Sequence, residues 1–218
     1  MRSTFWKMVT WMSSTMEFLF EAHAFRDDFS LERGSSNAEY CLEENDSNGV
    51  SRLIVHIAGR SLCLQHVDAH PPVCSLWQED KTMGWTKNVD HCIFEQAENG
   101  WILHMVEMKT SVGRRTWQGS IKPKFRSSYL NMRALAAILD IPIVETRTYT
   151  TYLNDKFEME AAANPRIAHP YLGDLQRNPF TEWRSDRVAV NLGSLVLFPH
   201  RRIKMTKKDA CLVGEVRF

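Results

Sequence analysis

No stretch of this chain reaches the ~20 consecutive apolar residues that a membrane-spanning helix requires, so no helical membrane anchor is expected. Five cysteines among 218 residues are odd in number and irregular in spacing. They build no disulfide framework, and a reducing compartment is expected, the cytoplasm, or the nucleus in a eukaryote. A clean hydrophobic region is missing around Ala22-His23-Ala24, because Lys7, Glu17 and Glu21 interrupt the Phe-, Trp- and Met-rich start from Met1 to Phe25. A signal peptide is therefore not expected. With a net charge of +1, no global field draws the protein to nucleic acid, and any basic surface must be local. Internal repeats and low-complexity tracts are absent.

What is present suits an ordinary folded protein. Hydrophobic residues make up 44% and charged residues 24% of the chain, enough for one sizeable core or one domain with a subdomain. The basic residues are uneven. Arg114, Arg115, Lys122, Lys124 and Arg126 cluster in mid-chain, and Arg201, Arg202, Lys204, Lys207 and Lys208 crowd the C-terminus. The acids concentrate between Glu17 and Asp46.

Apolar spacing predicts a helix from Thr4 to about Phe25, where Phe5, Val9, Met12, Met16, Leu19 and Phe20 recur at three- and four-residue steps. Arg33 to Gly49 reads as polar loop around a short segment at Tyr40–Leu42. Strands are expected at Arg52–Ile57 and Ser61–Val67, and His70-Pro71-Pro72 breaks regular structure. Val89–Phe94 and Trp101–Met108, joined across Glu98-Asn99-Gly100, read as a hairpin. A basic loop over Ser111–Gly119 and an amphipathic helix over Lys124–Leu139 follow. Strands are expected again at Ile141–Tyr152, Val188–Phe198 and Ile203–Met205, with Pro199-His200 between the last two. The whole is an α/β domain: a central mixed sheet with helices on both faces. Residues 1–152 form its core, and residues 153–218 a β-containing C-terminal extension of the same domain.

Chemistry is legible at one place. Side chains alternate faces along a strand, so Glu107 and Lys109 point one way while Val106 and Met108 point the other, into a core. Asp90 stands near the start of the preceding strand. An acid on one strand and Glu-x-Lys on the next set two carboxylates and an ammonium group around one point, which suits a divalent cation and a water.

The succession Asn88-Val89-Asp90-His91-Cys92-Ile93-Phe94, then His104-Met105-Val106-Glu107-Met108-Lys109, then a helix and a strand, resembles the PD-(D/E)xK nuclease superfamily. The resemblance spans roughly residues 50 to 152, an extent taken from the order of elements. No proline precedes Asp90, a departure from the superfamily's name. The resemblance implies a restriction-endonuclease-like core and Mg²⁺ or Mn²⁺ bound by Asp90, Glu107 and the Met108 carbonyl. It also implies that Lys109 orients a water or stabilises transition-state charge. A polar residue from the following helix is then expected at the site, with Gln118, Lys122, Lys124 and Asn131 all open. An additional acid comes from the first helix, Glu17 or Glu21, with Glu17 slightly favoured. Arg114, Arg115, Lys122, Lys124 and Arg126 are placed to bind flanking phosphates, and Trp117 to stack a base.

Competing readings are plainer. Asp90 and Lys109 form a surface cross-strand pair without any metal. Cys63, His66, His70 and Cys74 have the residue types of a zinc site, although Cys63 reads better as a buried thiol. Asp68 joins the acids only if its strand neighbours Asp90; otherwise it is a polar turn. His91 should face away from Asp90, as a packed core or interface histidine. The N-terminal apolar helix covers a core or meets another copy or a protein partner. The expected function is metal-dependent hydrolysis of DNA, with RNA close behind. The alternative is an inactive nuclease-like fold that binds nucleic acid or protein.

Overall fold

The computed structural model describes residues 14–21, 31–46, 49–69, 84–163 and 178–218. In chain order the strands are β1 (Leu31–Gly34), β2 (Ala38–Asp46), β3 (Gly49–Ile57), β4 (Ser61–Leu64), β5 (His91–Ala97), β6 (Gly100–Met108), β7 (Ser111–Val112), β8 (Ile143–Tyr152), β9 (Asn154–Asp155), β10 (Arg187–Asn191), β11 (Leu195–Lys204), β12 (Thr206–Lys208) and β13 (Cys211–Arg217). The helices are α1 (Ser14–Glu21), α2 (Arg114–Thr116), α3 (Lys122–Ile138), α4 (Lys156–Ala163) and α5 (Pro179–Arg184), with a wider turn at Trp117–Ile121 fusing α2 to α3. Among the described residues no helix is long and apolar enough to cross a membrane.

Seven strands form a central mixed sheet in the order β1-β4-β5-β6-β8-β11-β10. Within it β6, β8 and β11 run parallel, and the other pairings are antiparallel. The near-continuous apolar sequence of β6 is that of a strand covered on both faces. Trp101, Leu103 and Met105 enter one core with Phe125, Met132 and Leu135 of α3. Val106 and Met108 enter a second core with Tyr40, Leu42, Leu53 and Val55. Each fully buried side chain of this kind is worth roughly 1.5–3 kcal/mol relative to exposure, so this strand cannot shift register by one residue.

The second core contains the first correction to the expected architecture. Met16 of α1, Phe125 of α3, Phe157 of α4 and Phe180 of α5 all fall in the first core, so these helices share one face. Among the described residues the other face is covered by a second sheet, β12-β13-β3-β2, rather than by helices. Tyr40 and Leu42 are buried while Glu39 and Cys41 are not, the two-residue period of a half-buried strand. The region expected as polar loop is therefore a sheet layer. Residues after 153 supply strands to both sheets, and β13 pairs in parallel with β3.

Two further boundaries differ. The basic loop expected at Ser111–Gly119 becomes helix from Arg114. Val188–Phe198 is not one strand. Gly193, at φ +91°, turns β10 into β11, and β11 then continues through Pro199 and His200. Pro199 has no N–H to give a ladder, and it sits where β11 ends its pairing with β10 and begins its pairing with β8.

Candidate active site

Asp90 is held just ahead of β5 by helix α3. The hydroxyl of Ser128 accepts a hydrogen bond from Val89 N at 2.8 Å, Asn131 donates to the Asn88 side chain at 2.8 Å, and Ser127 donates to the Lys87 carbonyl. These three polar residues, buried on the inner side of the helix beside Phe125, Met132 and Leu135, fix residues 87–90 against it. Val67 N donates to the Asp90 carbonyl at 2.9 Å, which ties the segment after β4 to the same point. The Asp90 carboxylate, 1% exposed, accepts from Met108 N through Oδ2 at 2.6 Å. That bond links the start of β5 to the end of β6.

Glu107 leaves β6 on the α3 side and is fully buried. Its Oε1 lies 2.6 Å from Lys109 Nζ and 3.0 Å from Lys124 Nζ, yet neither Glu107 oxygen has an aligned hydrogen bond among the described residues. The contacts are best treated as ion pairs, since Coulomb attraction does not need the alignment that a hydrogen bond needs. Lys124 Nζ also donates to Asp90 Oδ1 at 2.9 Å. Lys109 Nζ stands 4.0 Å from Asp90 Oδ2 and donates to the Met108 carbonyl at 3.0 Å. Asp90, Glu107 and Lys109, the three residues singled out by sequence, do converge, and Lys124 of α3 completes the group.

Two more acids arrive from elsewhere. Glu44 projects from β2 with the inward-facing Tyr40 and Leu42, and Asp68 follows Val67. One carboxylate oxygen from each of Glu44, Asp68 and Asp90 lies within 4.8 Å of the other two. Asp68 joins because β4 neighbours β5, the condition the sequence left open. Glu44 was missed because its strand read as loop; the alternation Tyr40, Leu42, Glu44 was the available signal.

Four carboxylates (Glu44, Asp68, Asp90, Glu107) therefore face two ammonium groups (Lys109, Lys124). Burial, and then the neighbouring Asp90, push the Glu107 carboxyl up to about 7 against the pull of both lysines. Burial, Asp90 and Asp68 raise Glu44 to about 7 as well. Lys124 is raised despite its burial by Glu107 and Asp90. When all six groups are charged the site carries two surplus negative charges on hard oxygen donors. That set suits a divalent cation such as Mg²⁺ or Mn²⁺.

The other expected residues fall as follows. Trp117 is a correction: it is fully buried and donates through Nε1 to Glu182 at 2.9 Å, so it offers no face to a base. Lys122 is another, for its ammonium is held by Glu182 at 2.8 and 2.9 Å. Glu182, 2% exposed, also accepts from Ala189 N, and this cluster fastens α5 and β10 to α3. Lys124, expected to bind phosphate, lies within the acid cluster. Arg114 and Arg115 are exposed at the start of α2. Glu17 is half-buried on α1, and no hydrogen bond or ion pair ties it to Asp90, Glu107 or Lys109. Cys63 is a buried core thiol and His66 is exposed; His70 and Cys74 lie outside the described residues. His91 follows Ile93 to the second-sheet side, where its Nδ1 accepts from His66 N at 3.4 Å and burial depresses its pKa to about 4.

No family model, curated protein or solved structure matches the chain.

Proposed function

We propose that this protein is a metal-dependent nuclease acting on DNA or RNA. The observation that carries the reading is the meeting of Asp90, Glu107 and Lys109 with Lys124 inside a 4 Å network. Asp90 and Glu107, with the Met108 carbonyl, are the residues to hold Mg²⁺ or Mn²⁺; Glu44 and Asp68 supply further oxygen donors beside Asp90. Such an ion, when bound, polarises a phosphate oxygen and lowers the pKa of an attacking water.

The protein's own groups divide the remaining work. Lys109, 28% exposed, has its ammonium at the solvent edge of the cluster, where it orients water or meets charge developing on a phosphate. Lys124, more enclosed, balances Asp90 and Glu107 and keeps two buried carboxylates from repelling each other. Arg114 and Arg115 extend from a nearby surface to hold flanking phosphates.

Cleavage of plasmid DNA and of single-stranded RNA is to be followed with Mg²⁺, with Mn²⁺ and with EDTA. Cutting that needs metal, and falls at least 100-fold in both Asp90→Asn and Lys109→Ala while circular dichroism stays unchanged, is the expected result. Wild-type cutting by Lys109→Ala removes the mechanism. Absence of cutting, together with absence of Mn²⁺ binding, leaves the four residues as an internal ion network in a non-catalytic binding module.

A further inference from the structure

The opposite face of the central sheet carries a polar chain that the proposed reaction does not use. Glu95 of β5, His104 of β6 and Tyr149 of β8 lie side by side on it. Glu95 Oε2 is 3.0 Å from His104 Nε2, and His104 Nδ1 is 3.0 Å from the Tyr149 hydroxyl. Gly59 N donates to the other Glu95 oxygen at 3.0 Å. Hydrogen bonding from His104 and Gly59 holds the Glu95 carboxyl low, and burial holds His104 low. A charged carboxylate only accepts, so Nε2 bears the imidazole proton and Nδ1 accepts from the phenol. The Tyr149 oxygen is thereby fixed in place.

Phe218 lies flat over this chain. Its ring centroid is 4.5 Å from His104 at 11° and 4.0 Å from Tyr149 at 19°. His104 and Tyr149 are 5.7 Å apart, far less than the sum of those two spacings, so both stack on the same face of Phe218. Beside it a cavity of about 440 Å³ is bounded by Arg147, Tyr149, Asp186, Arg201, Arg217 and Phe218. Arg147 is bonded to Glu145 at 2.7 and 2.9 Å. Among the described residues Arg201 and Arg217 have no carboxylate partner; Arg201 donates to the Arg217 carbonyl at 3.3 Å. Asp186 has no cation partner among them either.

We propose that this cavity binds a nucleotide, with its phosphate at Arg201 and Arg217 and its base against the Phe218 ring that lines it. Guanidinium forks match phosphate geometry, and a flat aromatic face accepts any base by stacking. Asp186, an acceptor on the same wall, suits the sugar hydroxyls. The volume falls within the roughly 300–1,000 Å³ of small-ligand pockets. A free nucleoside monophosphate and the phosphorylated end of a strand present the same chemistry. The site stands on groups that face away from Glu107, so it does not depend on the nuclease reading.

Isothermal titration in EDTA tests it, with AMP, adenosine, inorganic phosphate and a 5′-phosphorylated oligonucleotide as probes. AMP is expected to bind at least tenfold more tightly than adenosine or phosphate, since only it carries both halves. Arg201→Ala with Arg217→Ala should weaken AMP at least tenfold, and Phe218→Leu should weaken AMP but not phosphate. Tighter binding of the oligonucleotide than of AMP assigns the site to a strand end, and the reverse order to a free nucleotide. No binding of AMP or oligonucleotide at millimolar concentration, or wild-type affinity in the folded double-arginine variant, overturns the proposal.

Discussion

Replacing Glu107 by Gln tests the electrostatics of the site without reference to catalysis. In the folded protein burial and Asp90 raise this carboxyl from 4.5 to about 7, so between those values the folded chain holds a proton that the unfolded chain has released. Stability attributable to Glu107 is then complete below about pH 4.5 and is lost as the pH rises through about 7. At about 1.4 kcal/mol per pH unit, wild type should lose roughly 2–3 kcal/mol relative to Glu107→Gln between pH 5 and pH 8. In a protein of this size that is a relative melting shift of roughly 5–10 °C. The constant offset between the two proteins absorbs the loss of Glu107 to the Lys109 and Lys124 ammonium groups, which keep Asp90, and only the change with pH reports the carboxyl. Urea unfolding in EDTA at both pH values measures it. If the same site takes a divalent cation, Mn²⁺ at a hundredfold excess over its dissociation constant restores about 2.7 kcal/mol to wild type and much less to the variant. A wild-type-to-variant difference that stays flat from pH 5 to pH 8 refutes the account of a buried, strained carboxylate.

Three other outcomes are expected. Lys122→Ala leaves Glu182 charged and buried at 2% exposure, so urea unfolding should show a loss of about 3–5 kcal/mol, and nucleic-acid affinity should stay unchanged. Trp117→Ala empties a fully buried site beside Trp183 and His200 and should cost about 3–5 kcal/mol; a fall in nucleic-acid affinity at unchanged stability counts against the core placement. Arg114→Ala with Arg115→Ala removes two exposed cations, so stability should move by less than about 1 kcal/mol. The salt dependence of nucleic-acid binding should flatten by about two phosphate contacts, and an unaltered slope moves the interface elsewhere.

Local pattern alone determined much of the centre. The apolar run Trp101–Met108, the turn at Glu98-Asn99-Gly100 and the two-residue spacing of Glu107 and Lys109 follow from strand period and turn chemistry, and these place both side chains on one face whatever packs nearby. The amphipathic spacing of Lys124–Leu139 likewise announced α3. Tertiary structure alone decided what covers each face. Ala38–Asp46 is a charged, half-buried strand whose pairing with β3 gives it its order, and nothing within the segment reveals that partner. Its Glu44 could reach Asp90 only once a second sheet had closed over the first. Trp117 and Lys122 carry the composition of a nucleic-acid surface, and Glu182, some sixty residues away in sequence, takes both as partners, Trp117 in the core and Lys122 at its edge. Lys124 was legible as a helical cation; that its ammonium neutralises Asp90 and Glu107 depends on how α3 crosses the sheet. A strand's period is written in neighbouring residues, whereas the partner of a buried charge is chosen by distant chain that must supply the solvation burial removes.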